Sequence, residues 1–517
     1  MRTASAAANW ALVAAILGSG MSFIDGSAVN VALPVIQRDL HATAQDGQWV
    51  VESYALFLSA LMLIGGSLGD IFGRKRIFGA GIAFFAAASL ACALAPNVAV
   101  LLAGRSLQGV GAALATPGSL ALISSNFRGE ARGKAIGTWS GFSAMTAALG
   151  PVLGGVLVQY GSWRSVFLIN VPIALVVIAM LVLRVDESRD ESATRDVDIL
   201  GAVLATAGLG ALVYGLIGVQ SDARSLAALG AAAAGIVTLG AFVFVEARSS
   251  HPMMRLDVFR SQRFSAANVY TFLLYATLGG SLYFVPFDLI NVQRYPPAIA
   301  GGAMLPFIAI MVAFSRFSGG LVARIGARLP LTLGAALAAA GFAGYGLAGV
   351  GHSYWLTFFP AAVLLGCGGA FFVAPLTTTV MDSVESAHAG IASGINNAVS
   401  RIAGLIAIAA LGIVLAAVFE VQLARSLAQA PIAAGVRAVA NAHQAELFAG
   451  EMPAQIPRLA DRAAVGDAAR SAYAAGFSSA MFVSMVVALL AVPVGLDRSF
   501  AFANTEMRPF DRVRSSR

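Results

Sequence analysis

Six charged side chains interrupt stretches that are otherwise fit for lipid: Asp25, Glu52, Arg105, Asp288, Arg316 and Arg401. A charge near a bilayer centre costs about 2.5–3.5 kcal/mol on insertion scales. Each therefore needs a partner, a water-lined cleft or a task. A carboxyl in such a place can bind and release protons, because loss of water favours its neutral form and a nearby cation favours the charged one. Asp25, Glu52 and Asp288 have this chemistry available, and Arg105 is the natural counter-charge for Asp25. Counted along their helices at about 1.5 Å per residue, Asp25 and Arg105, with Glu52 near them, share an outer-half depth within the N-terminal half. A proton and a cationic or polar compound competing for such a site would be exchanged across the membrane. Each charge moved through 100 mV is worth about 2.3 kcal/mol. Gln108, Arg316 and Arg401 read as structural, bonding to acids or backbone carbonyls.

These residues need helices that cross a bilayer. The chain of 517 residues is 58% hydrophobic and 11% charged, whereas a soluble domain carries about 25% charged residues. A globular core cannot hide that excess, so the sequence predicts an all-α integral membrane protein. Apolar runs of about 20 residues occur fourteen times, near 9–35, 48–69, 77–95, 98–123, 135–160, 165–184, 199–219, 226–245, 264–290, 299–323, 330–349, 354–380, 389–419 and 471–495. The first flows directly into a span and is too long for the core of a cleavable signal. The alternation of a transmembrane barrel is absent. Cys92 and Cys367 lie apart in apolar runs and give neither a disulfide framework nor a metal set.

The net charge of +7 is distributed for membrane orientation and not for nucleic acid. Basic residues cluster in alternate loops: Arg74, Lys75 and Arg76; Arg128, Arg132 and Lys134; Arg184, Arg189 and Arg195; Arg248, Arg255, Arg260 and Arg263; Arg324 and Arg328. The intervening short loops carry single arginines, Arg38, Arg164, Arg224 and Arg294. The positive-inside rule then puts both termini in the cytoplasm of a cell (inner or plasma) membrane protein. The expected domains are a six-span half over 1–190, two additional spans over 191–250, and a second six-span half over 251–517. The long segment 420–470 mixes Ala with charges and prolines, and reads as short amphipathic helices on the extracytoplasmic side.

"GGSLGDIFGRKRIF" (65–78) and "GGLVARIGARLPL" (319–331) repeat one pattern, paired glycines at a span end followed by a charge and then Gly and Arg. In the first, Gly66 and Gly69 are suited to close helix approach and Gly73 to a tight turn. Asp70 suits the positive end of a neighbouring helix, and Arg74 and Lys75 suit acidic partners or headgroups. "GSLGDIFGRK" (66–75) resembles the signature loop of the major facilitator superfamily, where it helps lock one state through charge contacts. "RSLQGVG" (105–111) resembles that superfamily's second motif, whose arginine is implicated in proton transfer. "GPVLGG" (150–155), with Gly150, Pro151, Gly154 and Gly155, is similar to its antiporter motif. "DGSAVNVALP" (25–34), "WRSVFLINVP" (163–172) and "GIASGINNAVSR" (390–401) resemble the fourteen-span drug:proton antiporters.

The resemblance implies two six-helix bundles with two extra central spans, fourteen transmembrane helices in all, and spans 1 and 4 lining a central cavity, which puts Asp25 and Arg105 on its wall. It implies a proton-coupled antiporter exporting small hydrophobic or amphiphilic compounds by alternating access. The alternative is a proton-coupled transporter of one specific metabolite or lipid. Its partners would be a small-molecule substrate, protons and the lipid bilayer; a periplasmic adaptor is possible for such exporters but has no support in the sequence. No enzymatic activity and no cofactor are expected. The five histidines are scattered and form no zinc motif, no selectivity-filter repeat suggests a channel, and no phosphate loop suggests an ATP-driven pump.

Overall fold

The computed structural model describes residues 2–127, 129–189, 198–221, 225–249, 252, 254, 256–351, 353–384, 389–450, 452–456, 458–497 and 500. The helices are α1 (Arg2–Leu40), α2 (Ala44–Phe72), α3 (Arg74–Ala93), α4 (Val98–Asn126), α5 (Gly129–Tyr160), α6 (Ser165–Leu168), α7 (Asn170–Arg184), α8 (Ile199–Ser221) and α9 (Leu226–Glu246). They continue with α10 (Gln262–Phe287), α11 (Pro297–Gly302), α12 (Leu305–Ile325), α13 (Arg328–Gly346), α14 (Phe358–Asp382), α15 (Ala389–Gln429), α16 (Ala434–Ala442), α17 (Gln444–Phe448) and α18 (Leu459–Gly495). Among the described residues there is no strand. Helices suit this sequence because each satisfies its own backbone groups in lipid. Their starts are marked locally: Thr43 and Asp46 form a capping box at α2, and the Asn97 side chain accepts from Val100 N at α4.

By length and composition, twelve helices among the described residues are able to cross a bilayer, or thirteen when α2 is counted across its 51° bend between Met62 and Ile64. The sequence reading of fourteen is not reached on this count. The remaining candidate is α5, whose described stretch Leu149–Tyr160 is apolar but too short to be counted. Two spans run longer than expected, since α15 continues to Gln429 and α18 already begins at Leu459. Their Ala-rich flanks are strong helix formers even where charged residues interrupt them. Between them, α16 and α17 form a short hairpin segment.

Helices α1 to α5 and α7 pack on one another, and α10, α12 to α15 and α18 pack on one another. Small residues bring the axes close: a Cβ on Gly111 would sit 2.7 Å from Phe85 N, and one on Gly368 would sit 2.7 Å from Ala338 N. The pair α8–α9 leans on this arrangement from the side. Leu209, Val213 and Ile217 of α8 share a buried cluster with Leu56 and Ala60 of α2 and with Leu405 and Ala409 of α15.

The two sets meet along a seam. Asn30 Nδ2 of α1 donates to Leu282 O of α10 at 3.5 Å, and Ala298 N of α11 donates to Gln159 Oε1 of α5 at 3.1 Å. A Cβ on Gly155 would overlap Pro297 O, and one on Gly301 would overlap Pro151 O. Near the hairpin, Gln37, Gln48, Tyr283, Phe287, Phe448 and Tyr473 line a small void between the sets.

Candidate functional site

Asp25 sits mid-way along α1 and is completely buried. Its Oδ2 accepts from Arg105 Nη1 of α4 at 2.5 Å. Its Oδ1 accepts from Asn170 Nδ2 of α7 at 3.1 Å and from Gln108 Nε2 of α4 at 3.3 Å. Arg105 is also fully buried. It donates through Nη1 to Gln108 Oε1 at 2.8 Å and through Nε to Val50 O of α2 at 2.9 Å. Behind them, Ser89 Oγ of α3 accepts from Gln108 Nε2 at 2.6 Å and from Asn170 Nδ2 at 3.3 Å. The guanidinium carbon lies 4.4 Å from the Tyr54 ring centroid and 5.7 Å from that of Phe167, an arrangement in which ring faces add cation–π attraction.

Five helices thus contribute one polar knot. An ion pair taken out of water is tolerated only with good geometry and satisfied lone pairs, and the amides of Gln108 and Asn170 supply that satisfaction. Arg105 Nη2 is left without a hydrogen-bond partner. The expected cavity wall is corrected here: Asp25 and Arg105 lie inside the first helix set, with no exposed surface. The spacing of charges gave their depth, and the knot of uncharged partners around them fixes their inward direction.

The other acids stand apart from this knot. Glu52 of α2 is fully buried with neither carboxylate oxygen hydrogen-bonded. Asp288 opens a π turn, Asp288–Val292, that continues α10; such turns often mark functional sites. Gln293 Nε2 donates to Asp288 Oδ2 at 3.1 Å and to Gly349 O at 2.8 Å, and Asp288 Oδ1 has no partner. Arg401 of α15 is half-buried. The side chain of Arg316 lies outside the described residues. Among the described residues no three His, Cys, Asp or Glu gather as metal ligands.

The repeated loop has a defined geometry. Asp70 Oδ1 accepts from Arg74 Nε at 2.8 Å, so the acid pairs with the first residue of α3. The N-terminus of α3 is held by Glu187, whose carboxylate accepts from Lys75 N at 3.0 Å and Arg76 N at 3.1 Å. An anion there is favoured by the helix dipole. Lys75 Nζ donates to Val185 O at 2.7 Å. Gly73 has φ 112 and Gly326, at the matching place in the second loop, has φ 78, a region that suits glycine. The expectation for close approach shifts by a residue. Gly69 meets nothing within 4 Å and Gly66 only an ordinary contact with Pro117, whereas a Cβ on Gly65 would overlap Ala113 O.

In the antiporter-like stretch, a Cβ on Gly150 would overlap Ser27 Oγ, and one on Gly154 would sit 2.6 Å from Ala28 O. Helix α5 therefore lies directly on the α1 backbone, two to three residues beyond Asp25. Gly155 and Pro151 face α11 across the seam.

Sequence reasoning did not single out Asn170, Ser89 or Glu187. Asn170 lies within the quoted stretch "WRSVFLINVP", the only signal it gave. Ser89 sits in an alanine-rich span with no signal, and Glu187 reads as one more loop charge.

A bundle of membrane-crossing helices with a sealed ion pair, a capped charged loop and a seam between two helix sets defines a multi-pass membrane transporter. The sequence model of the Major Facilitator Superfamily matches residues 15–408. The chain is 38% identical over 425 residues to the multidrug resistance protein Stp of Mycobacterium tuberculosis, covering 81% of this chain and 78% of that protein. It is 32% identical over 492 residues to the tetracenomycin C resistance and export protein of Streptomyces glaucescens, covering 94% and 90%. Among solved structures, a bacterial homolog of the human lysosomal transporter Spinster, inward-facing and unoccupied, aligns with a TM-score of 0.68 at 17% identity, covering 96% of this chain and 99% of that one. The chain belongs to the Major Facilitator Superfamily.

Proposed function

We propose that the protein is a proton-coupled antiporter that exports small hydrophobic or amphiphilic compounds by alternating access. The observation that carries this reading is the Asp25–Arg105 pair, at 2.5 Å with both side chains fully buried. Intramembrane charges are costly and are retained for function. Here the carboxylate has one cationic and two amide donors, so a rearrangement that withdraws Arg105 leaves an acid that takes up a proton in its place. Proton release then follows when the pair closes again. Glu52 and Asp288, buried and with unpartnered oxygens, are proposed as further proton-handling groups beside the seam.

The relatives are named for multidrug resistance and for resistance and export of tetracenomycin C, which supports outward drug transport. The proposed layout has fourteen spans, with α5 and bent α2 both crossing. It has six-span halves over 1–190 and 251–517, an inserted pair over 191–250, and both termini cytoplasmic in a cell membrane. The segment 420–470 is then extracytoplasmic. With the sets joined beside the hairpin, the substrate path opens toward the α2–α3 loop, whose Asp70–Arg74 and Glu187 contacts rearrange between states. The Gly150–Gly155 packing keeps α1 and α5 moving together.

Reconstituted proteoliposomes under an imposed pH gradient test this reading. Addition of transported compounds is expected to drive proton movement in the native protein, and Asp25→Asn abolishes it while folding is retained. Full gradient-coupled transport by Asp25→Asn would overturn the assignment.

A further inference from the structure

Beside the hairpin lies a second cavity, of about 140 Å³, away from the Asp25 knot. Arg294, Arg470 and Asn291 supply its polar wall, with Phe448, Met452 and Tyr473 around them; among the described residues that line it there is no carboxylate. Arg294 follows the π turn and holds φ 61, a left-handed conformation that non-glycine residues adopt only under constraint and that collects at functional sites. Its guanidinium makes no hydrogen bond or ion pair among the described residues. Arg470 pairs with Asp467 through Nη2, while its Nε has no partner, and Asn291 Nδ2 has none either. Gly450, at φ 85, packs on the Asn291 amide and brings the hairpin over the site.

We infer that this cavity binds a small amphiphilic carboxylate. The arginine fork matches a carboxylate in shape and charge, and the body of the ligand rests on Phe448 and Met452. The volume lies well below the roughly 300–1,000 Å³ of drug-sized pockets, so the ligand is small. Phe448 and Tyr473 also line the void at the seam, with Gln37 and Gln48. A bound anion therefore leans on the same two rings that close the seam, and it holds the hairpin against α18. This inference does not depend on proton coupling and extends beyond the proposed export.

The test uses the full chain in zwitterionic lipid nanodiscs, with 4-fluorobenzoate as the probe, read by fluorine NMR against empty nanodiscs. Saturable binding is expected, competed by benzoate but not by benzyl alcohol or benzylamine. Arg294→Gln weakens it about tenfold or more, as loss of a charged hydrogen bond does; Arg470→Gln does the same, and Phe448→Ala also weakens it. Arg294 is exposed, so its variant retains the fold even where Arg470→Gln does not. No saturable binding to the native protein, equal competition by benzyl alcohol, or unchanged affinity in Arg294→Gln would overturn the inference.

Discussion

Removing the guanidinium from the buried knot is expected to cost far more than removing it together with its counter-charge. In Arg105→Met the Asp25 carboxylate keeps only the Gln108 and Asn170 amides, at 3.3 and 3.1 Å, and no compensating charge. Breaking a buried pair from one side costs about 3–5 kcal/mol. Lost stacking over Tyr54, at 4.4 Å, adds about 0.5–2 kcal/mol. With an unfolding entropy of about 2.1 cal/mol/K per residue, this corresponds to a fall in thermal midpoint of about 3–6 °C. The double variant Arg105→Met/Asp25→Asn keeps an acceptor for both amides and removes the orphaned charge. It is expected to regain at least half of the loss, a coupling of about 2 kcal/mol or more. Thermal unfolding of the purified proteins in one detergent, followed by tryptophan fluorescence, reads both steps. If Arg105→Met melts with the native protein, or the double variant melts no higher than the single one, the guanidinium is not compensating the carboxylate and the account of the knot fails.

Three further outcomes follow from the geometry. Gly150→Val places a branched side chain where Ser27 Oγ already lies, so α1 and α5 separate; loss of transport and a cost of about 1–3 kcal/mol are expected, and normal transport with native stability counts against direct backbone packing. Glu187→Ala removes the acceptor at the start of α3 and lowers stability by about 1 kcal/mol, whereas Glu187→Gln, retaining an oxygen, loses less; equal losses would contradict the capping role. Phe448→Ala opens the seam beside the hairpin, so a cysteine introduced by Gln48→Cys is labelled by a polar thiol reagent several-fold faster than in the Phe448 background. An unchanged labelling rate would show that this ring does not seal the seam.

Much of the fold was legible because lipid asks little of a sequence beyond length and apolarity, and helix ends coincide with charged loops and caps such as Thr43–Asp46. The legibility failed where a helix is bent, as in α2 at Met62–Ile64. Asp25 and Arg105 stood out as opposite charges in apolar runs. Their direction did not, because each residue turns the helix by about 100°, and a small error in axial register swings a side chain from cavity to core. Asn170 and Ser89 were beyond reach for another reason. Uncharged polar residues are common in spans, and only the meeting of α1, α3, α4 and α7 selects these two. Glu187 shows the same limit at the surface, where one acid among several becomes the cap of a helix more than a hundred residues away.

The position of α1 explains how a sealed carboxylate can belong to a moving protein. Asp25 faces the knot, while Ser27 and Ala28 meet the glycines of α5 with no side chain between, and Asn30 reaches α10. Helix α5 in turn presents Pro151 and Gly155 to Gly301 and Pro297 of α11 in the same bare fashion. Side-chain rotamers absorb small shifts between helices; backbone laid on backbone has none to spare, and close-packed interiors transmit strain. A slide of α11 along α5 is therefore delivered to α1 within three residues of Asp25, where separation from Arg105 changes most for the least motion. The glycines that look like mere spacers are in this sense the link between the seam and the charge pair. Replacing them with alanine or larger residues is expected to uncouple the two before it unfolds either set.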